Sequence, residues 1–402
     1  MKVIARFTRT PAGRLASVLL VAGAGLLIAG YGDAPAVATG SWYMWGVGAL
    51  LAVGLYGSAS GIPREAVRDW RVVLAAVTVG VLLKTALIAA VMYAAAGLGP
   101  AAMLLGVAVA QIDPLSVAAI TGSSRMSRRA KALLSAWASF DDPVTALLTV
   151  YLISFAVGGA GPVGGLSGYA TGLALNAVFA AVVFALWALA RSYVPDRPGP
   201  GGEPRPPLWF GVAAGVVLLG LVAVAATWYL MLGIALIGLF YRPGIDAVTE
   251  RVTQAAFYAA TFVLGLLLAG GVHIGLGVLL GVSAFAAQIV AGLLIAHRLP
   301  VTDRVHLALG QQNGITAVIL ALTLQPYLPY AVGVVAPAIL TVNVLHLLSN
   351  SAWDAVLRGR RPAPPPWVRP APARLARPAA PRPARPARLP TRPLRPAPLS
   401  KD

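Results

Sequence analysis

Cysteine is absent from the 402 residues, which excludes disulfides, thiolate metal sites and thiol nucleophiles. Charge is scarce. Only 11% of the chain is Asp, Glu, Lys or Arg, against 58% hydrophobic residues. A soluble core covered by polar helix faces needs more charge than that, so lipid is the implied solvent. Acids are the scarcest class, 13 against 31 Lys and Arg, leaving a net charge of +18. That excess does not argue for a nucleic-acid partner, because 12 of the 31 basic residues lie from Arg358 onward. They sit in an Arg-Pro-Ala tail without the interleaved aromatics on which single strands stack.

What is abundant is apolar sequence in blocks of roughly 16 to 27 residues, and about 20 suffice to cross the hydrocarbon as a helix. The chain reads as an all-α membrane protein of about twelve spans: 15–30, 41–57, 72–96, 100–121, 130–157, 166–190, 208–226, 228–240, 252–270, 274–296, 305–325 and 331–349. Residues 1–14 form a short N-terminal segment, 15–357 the membrane domain and 358–402 a separate tail. The tail alternates Pro, Ala and Arg, cannot bury enough surface to fold, and is expected to be extended and attracted to anionic lipid headgroups.

Loop charges orient the spans, because Lys and Arg stay on the cytoplasmic side. Basic residues precede the first span (Lys2, Arg6, Arg9, Arg14) and follow the second (Arg64, Arg68, Arg71) and the fourth (Arg125, Arg128, Arg129, Lys131). The alternate loops 31–40, 97–100, 158–165, 226–228, 270–273 and 326–330 contain no Lys or Arg. Both termini are therefore expected in the cytoplasm, in a multi-pass protein of the cell membrane. The basic start, the apolar run and Ala-Val-Ala at 36–38 also describe a cleavable signal peptide, but an uncleaved first helix fits the remaining loops. Trp42, Tyr43 and Trp45 suit an interfacial belt.

Residues 111–120, Gln-Ile-Asp-Pro-Leu-Ser-Val-Ala-Ala-Ile, resemble residues 311–320, Gln-Gln-Asn-Gly-Ile-Thr-Ala-Val-Ile-Leu. Each run puts Gln, an acid or amide, and a helix breaker (Pro114, Gly314) inside a span, and the loop charges give the two spans opposite orientation. Broken helices in inverted repeats meet at the substrate site near the bilayer midplane. Pro and Gly are common in membrane helices. Here, however, they coincide with buried polar residues, and unwound backbone at that depth is tolerated where it is buried in protein or lines a cavity.

Apart from Lys131 at the edge of the fifth span, four formally charged residues fall inside the predicted spans: Lys84, Asp113, Asp141 and Asp142. Each costs roughly 2.5–3.5 kcal/mol at a helix centre, so four cost on the order of 10–14 kcal/mol unless paired or hydrated. Asp141 and Asp142 stand in Ser-Phe-Asp-Asp-Pro-Val-Thr (139–145). Adjacent carboxylates in low dielectric repel and lose solvation, so a proton held there can be exchanged for a cation. Pro143 cannot donate to the carbonyl of Ser139, which frees that oxygen as a ligand, and Thr145 adds a hydroxyl; oxygen suits hard cations. Asp113 precedes the second half of a broken helix, where exposed N–H groups favour an anion. Lys84 is too far from either end of its span to snorkel. It is expected to pair with one of the aspartates or to neutralise half-helix carbonyl ends. Asn176, Gln288, Asn343 and His346 read as hydrogen bonds across helix interfaces.

Taken in order, Asp113-Pro114 in the broken fourth span, Asp141-Asp142 in the fifth and Asn313-Gly314 in the broken eleventh resemble the monovalent cation/proton antiporter superfamily, in its double-aspartate sodium/proton branch. The likeness covers most of residues 72–349. It implies a homodimer in which a core containing the crossed helices moves against a dimerisation domain. It also implies that Asp142 binds the cation or the proton, with Asp141 as its partner in the ion site, Asp113 at the crossing and Gln111 beside it. Two acids would suit an electrogenic ratio. The chain departs from the family where a basic residue of the tenth span, and in some branches an Arg of the eleventh, would stand: Gln288 and Asn313 are neutral. Lys84 is the expected substitute.

The function expected is exchange of Na⁺, Li⁺ or K⁺ for H⁺ by alternating access, with no cofactor. Sodium-coupled uptake of an organic anion is the alternative, disfavoured by the lack of a basic residue at the breaks. An intramembrane aspartyl protease also needs two buried aspartates, but would place one after Gly-x-Gly, which neither Ile-Asp-Pro nor Phe-Asp-Asp-Pro supplies.

Overall fold

The computed structural model describes residues 11–31, 37–38, 40–61, 70–114, 117, 126–156, 165–193, 197–198, 204–205 and 207–359. Lys2, Arg6, Arg9, Arg64, Arg68, Arg125, most of the 111–120 repeat after Pro114 and the tail beyond Gly359 lie outside them, so the expectations placed on those residues are not addressed. Residues Met1–Asp354 form one compact unit and Ala355–Asp402 a second.

Thirteen helices are described. In chain order they are α1 (Pro11–Ala29), α2 (Ser41–Ser60) and α3, which runs Trp70–Ala75, a π-helical turn Ala76–Gly80, then Val81–Ala96. Next come α4 (Ala101–Ala110), α5 (Arg128–Ala156), α6 (Gly165–Tyr193), α7 (Leu208–Trp228) and α8 (Met231–Phe240). The last five are α9 (Asp246–Leu267), α10 (Ile274–Ile295), α11 (Val301–Ala308), α12 (Ile315–Leu324) and α13 (Ala331–Gly359). Beside them is a two-residue antiparallel pairing of Arg197–Pro198 with Pro204–Arg205.

These helices are compatible with the predicted spans, the eleventh being divided into α11 and α12 and most of the fourth after Pro114 lying outside the described residues. Boundaries moved where charge had been taken for loop. α9 begins at Asp246 and α11 at Val301, so Glu250, Arg251, Asp303 and Arg304 belong to helix ends. Pro300 precedes α11 with an extended backbone, and Asp303 in the first turn accepts from the Ser127 N–H at 2.9 Å. An acid at that position is favoured by the helix dipole.

Among the described residues six helices are long and apolar enough to cross a membrane, and they differ in how far the rest of the protein covers them. Half of the α3 and α10 windows is buried inside the protein, against 17% for α6. Leu173, Val178, Val182, Phe184 and Leu186 of α6 are exposed, as lipid-facing side chains are. α8 is half the length of a span and is held from within: Asn176 of α6 accepts from the Gly233 N–H at 2.7 Å and donates to Gly172 O at 2.8 Å.

With no hydrophobic drive between helices in lipid, close backbone approach carries the packing. At the crossing of α1 and α9, a Cβ on Gly25 would strike the Phe262 carbonyl, and one on Gly265 the Ala22 carbonyl. Gly265→Val is expected to lower stability by roughly 1–3 kcal/mol, the scale of overpacking, read from thermal unfolding in detergent.

A crossing of two helix breaks beside a buried ion pair

Each break exposes carbonyl groups that α-helix would have satisfied, and in lipid each must find another partner. After α4 the chain is extended at Gln111. Between α11 and α12, residues 309–314 are non-helical. The two stretches join at Asp113 N–H to Gln312 O, 2.8 Å. Side-chain amides take up most of the remaining groups. Gln311 Nε2 donates to Val109 O and Gln111 O, both at 2.9 Å, and Gln111 Nε2 to Ala108 O at 3.0 Å. Asn343 of α13 clasps the backbone of Asn313 on both sides, accepting its N–H at 3.1 Å and donating to its C=O at 2.9 Å.

The carboxyl end of α11 is covered by neutral groups. Gln288 of α10 donates to Leu307 O at 3.1 Å, Asn350 donates to Leu309 O at 3.0 Å, and His346 Nδ1 lies 2.8 Å from that same oxygen. These contacts are why Gln and Asn recur in otherwise apolar segments: an amide satisfies a carbonyl without bringing a charge.

The carboxylates are divided between two environments. Asp141, fully buried on α5, accepts at Oδ2 from Lys84 Nζ at 2.8 Å and from the Ile112 N–H of the first break at 3.0 Å. Lys84 is also fully buried, with its ammonium 5.4 Å from the centre of the Trp137 ring. Asp142 makes different contacts. Its Oδ2 accepts from Ser58 of α2 at 3.3 Å, and the Thr316 hydroxyl in the first turn of α12 hydrogen-bonds its carboxylate. Asp113 and Asp141 are near enough to act on it electrostatically. The Oδ1 atoms of Asp141 and Asp142 are buried without a hydrogen-bond partner among the described residues. Thr145 ties the two residues' backbones, its hydroxyl lying 3.0 Å from Asp141 O and 2.9 Å from Asp142 O. The Ser139 hydroxyl turns back onto Ser135 O at 2.8 Å. Pro143 lies within α5, which continues on both sides of it.

Asp113 reaches the crossing because Gly314, the residue before α12, has no side chain; a Cβ there would overlap the Asp113 carboxyl group. Asp113 and Asp142 therefore converge on one helix amino terminus, whose free N–H groups and dipole favour negative charge.

Residues 5–197, a little under half of the chain, match the family model of the transmembrane sodium/hydrogen exchangers. The fold is similar to that of the sodium proton antiporter MjNhaP1 from Methanocaldococcus jannaschii at pH 8, with a TM-score of 0.64 and 14% identity over 83% of this chain and 92% of that one. An electron-microscopy structure of the same archaeal protein matches with a TM-score of 0.50, again at 14% identity, over 79% of this chain and 85% of that one. No curated protein sequence matches. The first half of the chain is thus similar to the sodium/hydrogen exchangers, and the fold as a whole to that of the archaeal antiporter.

This likeness and the long apolar helices make the chain a multi-pass membrane protein. Among the predicted site residues, Asp113, Asp142, Gln111 and Asn313 meet at the crossing, while Asp141 and Lys84 form an adjoining pair. Gln288 of α10 sits apart from them, against the end of α11, where a neutral amide suffices to cap a carbonyl. Sequence reasoning passed over Ser58 and Thr316. Ser58 carried no signal in a Gly-Ser-Ala-Ser run, whereas Thr316, two residues after the Gly314 break, stood at a position where a hydroxyl faces the crossing. Gly314→Ala is expected to displace the Asp113 carboxylate and slow any ion flux through the crossing on the order of tenfold to a hundredfold, the scale of about 1 Å of misplacement, measured in reconstituted vesicles.

Proposed function

We propose that the protein is a member of the monovalent cation/proton antiporter superfamily that exchanges sodium, with lithium and potassium as the other candidate cations, for protons by alternating access, and that Asp142 is the carboxylate that holds either ion. The observation that carries this reading is the oxygen environment of Asp142: two hydroxyls, Ser58 and Thr316, on a buried carboxylate with a second carboxylate, Asp113, nearby. Oxygen donors and net negative charge suit a hard monovalent cation. The alternative occupant, a proton, neutralises the same group. Asp141 is the neighbour whose charge Lys84 offsets, so the pair adds no net charge to the site.

Sodium is placed first because the matching family is that of sodium/hydrogen exchangers and the archaeal neighbour is described as a sodium proton antiporter. The one-sided loop charges support cytoplasmic termini, and the Arg- and Pro-rich tail suits anionic lipid at that face. A homodimer follows from the superfamily likeness.

The test is a proton-flux assay in vesicles holding the purified protein, with Na⁺, Li⁺ and K⁺ added in turn. Sodium-driven proton release is expected. Release that ignores the cation would refute the antiport assignment, and release driven by potassium alone would refute the sodium assignment.

A further inference from the structure

α3 carries Lys84 to Asp141, and its burial pattern departs from that of a regular helix. Ala76, Gly80, Lys84, Ile88 and Met92 are buried, as are Val73, Val77, Val81, Thr85 and Ala89. Both rows repeat every four residues. An α-helix advances about 100° per residue, so a four-residue step overshoots a full turn by about 40°. Over the four steps from Ala76 to Met92 the overshoot would reach about 160°, placing the two ends of the row on nearly opposite faces.

The π-helical turn Ala76–Gly80 resolves this conflict. A π turn closes with one residue more than an α turn, which takes up about 100° of the drift. Two features seat the turn. Gly80 lies where a Cβ would come within 2.9 Å of Ile295 Cδ1, so this stretch is pressed against α10. The Thr78 hydroxyl donates to Leu74 O at 2.6 Å, serving a carbonyl at the entrance to the widened turn on an otherwise lipid-facing surface.

The geometry points to a register function: the extra residue of the π turn presents Lys84, and not Leu83, to Asp141 while keeping Ala76 and Gly80 packed. Were α3 regular through this stretch with its amino-terminal half unchanged, Leu83 would take the direction Lys84 now has, and the ammonium would lie about 100° away. Asp141 would then face a leucine. The π turn is thus a positioning element that lets α3 supply the counter-charge in a chain whose tenth span offers only Gln288. This inference rests on Lys84 serving exchange through Asp141, as proposed above.

Three variants in the full-length protein, assayed for sodium-driven proton flux across a pH series, decide it. Lys84→Leu tests the underlying reading, and loss of exchange is expected; unchanged exchange would overturn that reading and this inference with it. The paired change Leu83→Lys with Lys84→Leu keeps composition and hydropathy but shifts the ammonium by one position. It is expected to be as inactive as Lys84→Leu, and exchange restored by lysine at 83 would overturn the register function alone. Deletion of Thr78 removes the extra residue, letting α3 close as plain α-helix with both flanks in place. Exchange with the pH of its half-maximum unchanged is expected, and a folded deletion variant without exchange would overturn the proposal. If the deletion variant does not fold, the paired change decides by itself.

Discussion

Asp142→Asn should reduce cation-driven proton flux to the level of empty vesicles. The amide keeps the size of the carboxyl group and can still meet Ser58 and Thr316, but it can neither release a proton nor offer a full negative charge to a cation. Both half-reactions are therefore removed together. The neighbouring change Asp141→Asn acts differently, because the oxygen it alters is the one held by Lys84 and Ile112. It leaves Asp142 intact and strands an ammonium. A variant at 142 that retains cation-dependent flux would move the exchanging role elsewhere, with Asp113 next in line.

Lys84→Ala should be the most destabilising single change at the site. Lys84 and Asp141 are both fully buried and lie 2.8 Å apart. Removing one partner of such a pair leaves an uncompensated charge and costs roughly 3–5 kcal/mol, whereas replacing both by apolar residues of similar volume is near neutral. Lys84→Leu together with Asp141→Leu is accordingly expected to unfold close to the wild-type temperature in detergent, well above Lys84→Ala. Equal losses in the single and double variants would mean that the pair is not what holds α3 to α5. Part of the single loss comes from Trp137, since the ammonium also lies over its ring.

The neutral residues at the two breaks follow from the same reasoning about charge. Within the lipid-spanning part, the carbonyl ends of α4 and α11 are served by Gln111, Gln311, Gln288, Asn350 and His346. A cation at any of those places would add a charge needing its own partner. The ammonium the site does use enters from α3, where an acid is there to receive it.

Much of this was legible in the sequence because lipid as solvent imposes a local rule. Each span must be apolar along its length, and each interruption by Asp113-Pro114, Asp141-Asp142 or Gln311-Gln312-Asn313-Gly314 therefore stands out. The all-helical membrane fold, the two breaks and the buried carboxylates were all within reach of that rule. Which aspartate receives Lys84 was not, because the two are adjacent on one helix, and the azimuth of a residue 57 positions away depends on the π turn in α3. Nor was the pairing of Ser58 with Asp142, 84 positions apart, since a hydroxyl in a membrane helix usually bonds to its own backbone and has no periodic signature. The sequence by itself determined that charges are buried in the membrane and where the helices must break. Only the tertiary structure decided how those charges are shared out, leaving Asp141 neutralised and Asp142 with oxygen neighbours, because that depends on which faces of α2, α3, α5 and α12 meet.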